Sequence, residues 1–284
     1  ANKYQSASTQ NLKLLFHNEL LKKVSKKVAS PIQAKLNPIQ KLDQILSNDW
    51  EAWTEGSISF GKIGDSSLSS AQDIDSIGIT VGVDTKMDND QIFGVALRVG
   101  NTDVDVGTFG SAVDTNALSL SVYGINSLED ENFLKHIFGV SYLDSDIVRK
   151  NQGNTVTQKG EREGKQIFGS LDFGKEYEEG YLTVTPIGSI DGSYTRLNGY
   201  RESGEAALSY NDQDIKSLMA SLGVLFYRDF NLENSNLKSR VNLEYGKEFA
   251  SNSKVVTSYV SDGESFEYQT NNKNRDIYLS LIHI

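Results

Sequence analysis

From Trp50 onward the chain alternates apolar with small or polar residues at a period of two. Ile77, Ile79, Val81 and Val83 alternate with Gly78, Thr80, Gly82 and Asp84, and Phe93, Val95, Leu97 and Val99 alternate with Gly94, Ala96 and Arg98. Similar rows follow at Leu118, Leu120 and Val122, at Phe138, Val140 and Tyr142, and at Ile167, Leu171 and Phe173. Two more come at Leu218, Leu222, Val224 and Phe226, then at Val241, Leu243 and Tyr245. Successive side chains of a strand point to opposite faces, so each run predicts a strand with one apolar face and one small or polar face. Several runs continue into polar sequence, as over residues 93–106. Globular strands hold roughly five or six residues, whereas crossing an outer membrane takes about nine to eleven. Length therefore predicts a barrel.

Short polar turns at 87–90 and 129–132 alternate with longer polar segments at 65–75 and 144–165. Short turns at one end and long loops at the other are the arrangement of a meander barrel in the outer membrane. The pattern gives about ten hairpin-connected strands. Gly82, Gly94, Gly139, Gly169 and Gly223 read as small residues opposite the apolar rows, leaving room inside. A sandwich core would fill both inner faces with bulky side chains.

Before Trp50 the period is helical. Leu14, Leu21 and Val28 fall at heptad spacing, Leu12, Leu15, Phe16, Leu20 and Val24 widen the stripe, and Pro31 ends it. Asn37 and Pro38 cap a second short helix through Ile39, Leu42 and Ile45. Such a helix suits packing on a soluble domain or a coiled coil as well as other roles. Eight lysines against Glu19, Asp43 and Asp49 give the first fifty residues a charge of +5. The net charge of -10 then leaves -15 on residues 51–284.

Composition narrows the classes. Apolar residues make up 38% and mean hydropathy is -0.41; no stretch approaches the run of about 18 apolar residues a membrane helix requires, which excludes a helical membrane protein but not a barrel, whose lumen-facing residues dilute the average. The absence of cysteine removes disulfides, thiolate metal sites and thiol nucleophiles. The negative balance argues against a nucleic-acid partner. His17, His136 and His283 are too scattered to make a ligand set, and no hydrolase, phosphate-loop or zinc motif is present. Aspartates recur at i, i+2 in Asp73/Asp75, Asp88/Asp90, Asp103/Asp105, Asp144/Asp146 and Asp212/Asp214. They lie near turns and lack a calcium-loop spacing, so they read as solvated loop ends or lumen-facing carboxylates. No catalytic, cofactor-binding or metal residue is assigned, and the chain is not read as an enzyme.

The stretch 53–107 resembles the opening strands of autotransporter β-domains. It carries an aromatic-glycine first strand with Trp53 and Gly56, a Ser/Asp-rich loop, a glycine-valine-aspartate second strand over 78–84 and a glycine-alanine third over 94–99. A looser resemblance continues through 118–124 and 167–177. The resemblance implies an all-β, antiparallel up-and-down transmembrane β-barrel of about twelve strands with an N-terminal pore helix. It implies an outer-membrane translocator, monomeric and in contact with lipid, that anchors and helps export an N-terminal passenger and is assembled by the barrel-assembly machinery. Residues 1–49 would be the linker and pore helix, with lysines such as Lys26, Lys27, Lys35 or Lys41 facing lumen carboxylates such as Asp84 or Asp172. Alternatively, those lysines form a solvated face, where ion pairs are common and weak. Asn37 and Asn48 are linker-cleavage candidates by position alone. Family members end in a strand with a terminal aromatic, whereas this chain ends at Ile284. Residues 279–284 resemble a translated sequencing adapter, though a natural short β tail has the same look. On the first reading the barrel domain covers 50–278 and is truncated to about ten strands. The competing functions are a porin-like outer-membrane channel and a soluble β-sandwich binding module.

Overall fold

The computed structural model describes residues 50–64, 70–87, 91–150, 156–232, 235–250, 253–261, 263, 265–269 and 276–283. The helix expected within 1–49, with its lysines and Asn37 and Asn48, lies outside the described residues. The strands are β1 (Trp50–Ile63), β2 (Gln72–Lys86), β3 (Ile92–Val106), β4 (Ser111–Ser127), β5 (Asn132–Lys150), β6 (Thr157–Lys175), β7 (Tyr177–Glu179), β8 (Leu182–Leu197), β9 (Tyr200–Arg201), β10 (Leu208–Tyr210), β11 (Gln213–Leu232), β12 (Ser235–Glu248), β13 (Lys254–Tyr259), β14 (Ser265–Gln269) and β15 (Asp276–His283).

Ten of these strands make one antiparallel meander in the order β1-β2-β3-β4-β5-β6-β8-β11-β12-β15, with short β7 added on β8. That is the up-and-down, ten-strand arrangement the periodicity predicts. Among the described residues the sheet is open, with β1 and β15 as its edges. Residues Leu279–His283 belong to β15 and pair with β12. A second sheet, β14-β13-β10-β9, comes from the two longest connections.

Register sorts the side chains. One row across the sheet reads Val81, Leu97, Leu120, Val140, Ile167 and Tyr194, each directly opposite the next. The adjacent row on the other face reads Gly82, Ala96, Ser121, Gly139, Phe168 and Ser193. A slip of one residue on any strand would exchange the two faces.

The segment 144–165, expected as a long loop, is mostly strand. β5 and β6 stay paired from Asn132↔Lys175 to Lys150↔Thr157. Their polar residues continue the alternation beyond the apolar rows, so the ladder rises past the membrane-spanning part and only 151–156 connect the two. The turn at 129–132 forms as predicted, with Asp130 and Glu131 at φ 57° and 60° and the Leu128 N–H donating to the Asn132 carbonyl at 2.8 Å. Both central residues are left-handed, the conformation that matches strand twist in a two-residue hairpin.

The glycines correct a detail of the sequence reading. Gly82, Gly94 and Gly139 do lie opposite the apolar rows, but they do not leave empty space. The ring of Trp53 covers its cross-strand partner Gly82, Tyr123 covers Gly94, and Phe168 covers Gly139. Gly169 falls in the same row as Ile167 and Leu171, on the apolar face, because all three have odd numbers on one strand. There it faces Phe138. A Cβ on Gly94 would stand inside the Tyr123 ring. Replacing Gly94 with valine therefore forces the ring off its seat and breaks its hydrogen bonds. We expect a loss of about 1–3 kcal/mol from overpacking, measured as a lower temperature for the heat-modifiable gel shift of the full-length protein.

Candidate functional site

The two faces of the sheet have opposite chemistry, in a sense opposite to that of a soluble protein. The buried apolar residues among those described are Ala96, Phe133 and Ala207, while Ser121, Ser141, Thr185, Thr195 and Ser221 are buried polar ones. Leu97, Val99, Leu118, Leu120, Val122, Phe138, Val140, Ile167, Leu171, Ile190, Leu218 and Leu222 are all exposed. Removing such a side chain from water is worth roughly 1.5–3 kcal/mol. An aqueous exterior would thus cost on the order of tens of kcal/mol, and hydrocarbon removes that cost. From Ile77 to Val83 the apolar row spans six residue steps, or about 20 Å at ~3.3 Å per residue. That height approaches the ~25 Å apolar band of outer-membrane barrels. A shallow apolar groove of 690 Å³ runs over the face, floored by Gly169 and Gly192 and walled by Phe138, Ile167, Ile190 and Leu218. Missing side chains at two facing positions make the groove.

The polar face is held by side-chain chains that cross several strands. Trp53 Nε1 donates to the Tyr123 hydroxyl at 2.5 Å, and that hydroxyl donates to Asp84 at 2.6 Å. Arg98 donates to Thr80 at 3.3 Å and to Ser57 at 2.9 Å. Reaching from β1 to β4 requires small residues between, which Gly82 and Gly94 supply. A hollow of 470 Å³ lies on this side, bordered by Trp53, Arg98, Tyr123, Lys135 and Asp172. Asp84 and Asp172, predicted to face the lumen, both do so. Glu244 and Glu248 share the face, Glu244 bonded to Ser221 and Glu248 to Ser217 and to the N–H groups of Leu218 and Ala250.

The recurring aspartates meet on one surface, which no single strand's sequence reveals. Asp75 stands directly opposite Asp103, Asp103 opposite Asp114, Asp114 opposite Asp146, and Asp146 opposite Glu161. Asp73 faces Asp105, and Asp144 faces Glu163. Their parity puts them on the outward face at the loop end, immediately past the apolar rows. They are loop-end carboxylates, not lumen-facing ones; Asp88 and Asp90 lie outside the described residues. Directly opposed like charges destabilise a strand pair, and Asn101 offsets part of this by donating to Asp114 at 2.5 Å. His136 also points outward, 6.3 Å from Phe138. Among the described residues no three potential ligands come together around a metal position.

The loop after β8 is pinned at Asp212, which accepts from Arg196 at 2.9 Å and from the Gly199 N–H at 2.7 Å. The Arg196 hydrogen bond, then the Gly199 N–H, hold the Asp212 carboxyl below its ordinary pKa.

The sequence matches the family model described as Autotransporter beta-domain over residues 52–280. The fold is similar to the translocator domain of the autotransporter NalP from Neisseria meningitidis, with a TM-score of 0.62 and 12% identity, over 91% of this chain and 96% of that one. It is also similar to the β domain of the Bordetella autotransporter Brka, with a TM-score of 0.56 and 14% identity, over 83% and 97% of the two chains. No curated protein matches the chain.

Two outcomes follow from the rim. Asp146→Asn removes one charge from between Asp114 and Glu161 and should stabilise the folded protein by about 0.2–1 kcal/mol. Thermal unfolding in detergent at low salt reads the gain, which shrinks at high salt as screening removes the repulsion. Because its folded pKa is depressed, Asp212 contributes stability above its unfolded pKa of about 3.9 and loses it as pH falls through the folded value. Limited proteolysis of the 198–212 loop should accelerate on acidification, and Asp212→Asn should flatten that dependence.

Proposed function

The chain belongs to the autotransporter β-domain family, and on that premise we propose how it holds the passenger segment it helps to export. It is an outer-membrane translocator, a transport domain that serves an attached N-terminal passenger. The observation that carries this reading is the inversion of the sheet, with apolar rows exposed and serine, threonine and glycine rows covered.

In our reading, residues 1–49 link the passenger to the barrel and run along its polar face. The support is complementary charge. The segment carries +5 and the remainder -15, with Asp84, Asp172, Glu244 and Glu248 on the face concerned. A lumen restricts water, so opposite charges there attract more strongly than on an open surface. Lys26, Lys27, Lys35 and Lys41 supply the positive partners. Residues from 50 onward, through β15, form the barrel wall, which works as a monomer and is inserted by the barrel-assembly machinery.

An epitope placed upstream of Ala1 in the full-length protein tests the export direction. Intact cells should bind the antibody and lose the signal to external protease. A signal confined to the periplasm overturns the reading. Changing Lys26, Lys27, Lys35 and Lys41 together to glutamate tests the seat of the linker. We expect a lower temperature for the heat-modifiable shift, with low salt widening the difference. An unchanged temperature would place the segment elsewhere.

A further inference from the structure

Followed toward the loop end, the lipid-facing side of each strand passes from its apolar row to a first polar residue. On β2, β3, β4 and β5 that residue is Asp75, Asn101, Asn116 and Asp144. On β6, β8 and β11 it is Lys165, Arg196 and Lys216. These three strands are neighbours in the sheet, so they set three cations side by side at the hydrocarbon boundary, where the four strands before them set carboxylates or amides. Lys165 stands directly opposite Arg196, and Lys216 directly opposite Tyr194. All three cations are exposed.

Their acidic neighbours are already engaged. Asp212 accepts from Arg196 and from the Gly199 N–H, Asp214 accepts from the Tyr194 hydroxyl at 2.8 Å, and Glu163 accepts from Tyr142. Among the described residues Lys165 and Lys216 have no ion-pair partner. Like charges directly opposed across a strand pair are destabilising. An anion seated between Lys165 and Arg196 would relieve that repulsion.

The apolar groove starts immediately below this cluster. Tyr194 lines it, beside Arg196 on the same face of β8 and opposite Ile167 on β6. Farther from the loop end Gly192 stands opposite Gly169 on one side and Leu218 on the other. Phe138 leans over Gly169, but at Gly192 the floor is open. The nearest atom to a Cβ built there is Leu218 Cδ1, at 4.0 Å. The groove thus runs along β6, β8 and β11, the three strands that carry the cations. It lies on a face that hydrocarbon covers, so what fills it comes from the bilayer. The cations at its head match a phosphate. Anionic headgroups attract basic residues near the membrane surface, lysine stems lie along apolar wall while their ammonium groups reach the polar level, and the arginine fork fits phosphate oxygens. In an outer-membrane barrel the longer loops are extracellular, which places this end in the outer leaflet.

We propose that the outward face of β6, β8 and β11 binds a phosphorylated lipid of the outer leaflet, with an acyl chain in the groove at Gly192 and the phosphate held by Lys165, Arg196 and Lys216. The site requires the barrel to stand in its membrane and is independent of the passenger and of the course of residues 1–49.

Lipid A, an acylated disaccharide carrying phosphates, is the probe, with its dephosphorylated form as comparison. Native mass spectrometry of the full-length protein in detergent reads the lipid retained. The unaltered protein should favour lipid A over the dephosphorylated form about tenfold, the scale of one charge-assisted hydrogen bond. Lys165→Gln with Lys216→Gln should abolish that preference and leave the heat-modifiable band in place. Lys62→Gln with Lys254→Gln removes two cations that pair elsewhere, with Asp73 and Glu267, and should leave the preference intact. Gly192→Leu fills the groove and should lower retention of both lipids. An undiminished preference after the Lys165 and Lys216 changes overturns the proposal. So does an equal loss in the two double variants, which would reduce the effect to diffuse attraction. Full retention by a folded Gly192→Leu protein would remove the acyl chain from the groove and overturn it as well. The two double variants decide the headgroup contact whether or not Gly192→Leu folds.

Discussion

A strand crossing hydrocarbon has no water to satisfy its N–H and C=O groups, so each must be paired with a neighbouring strand. Everything else in this molecule follows from meeting that demand with an antiparallel meander. Ten strands pair in chain order, and the fixed alternation of the pleat then decides which residues meet lipid. Leu97 and Ala96 are adjacent in sequence and lie on opposite faces; one is 42% exposed and the other 5%. Solvent quality, and not a packed centre, assigns their roles.

The polar face is held together differently. Packing there is done by rings laid over glycines, as with Trp53 on Gly82 and Tyr123 on Gly94, with a hydrogen-bonded chain ending on Asp84. This arrangement stiffens three strand pairs without filling the interior with aliphatic side chains. The same face supplies the carboxylates that suit a basic linker, and at its loop end the arginine and glutamine side chains that hold the second sheet. One surface thus serves three tasks at different heights.

The rim shows what strand register adds to composition. Like charges in cross-strand contact are a local conflict, and such conflicts mark positions that folding alone does not favour. They lie where the apolar rows end and outside the hydrocarbon, which keeps their repulsion screened and small.

Much of this was legible in the chain. Alternation over Ile77–Val83 and Phe93–Val99 located the strands and their apolar faces, and run length distinguished a membrane wall from a sandwich. The tight turn at Asp130 and Glu131 was visible too, because local chemistry sets hairpins. The resemblance over 53–107 pointed to the family. Other features were hidden by their long range. Residues 144–165 read as loop because their polar residues carry no apolar row, yet they pair with each other and with the neighbouring strands β4 and β8 as strand. Gly169 shares the apolar face with Ile167 and Leu171, all odd-numbered on one strand, and the other glycines leave no space because their covering rings come from the next strand. The aspartate pairs were seen singly; only register aligned them across β2 to β6. Likewise Arg149, Gln158 and Arg162 carry no motif, and only the fold brings them to Glu202, Glu205 and Asn198, to which they donate hydrogen bonds. The sequence by itself determined period, strand length and the sign of each face, since those depend on neighbours within a few residues. Tertiary structure decided which strands pair, which charges oppose and which rings cover which glycines, since those depend on pairings between distant segments.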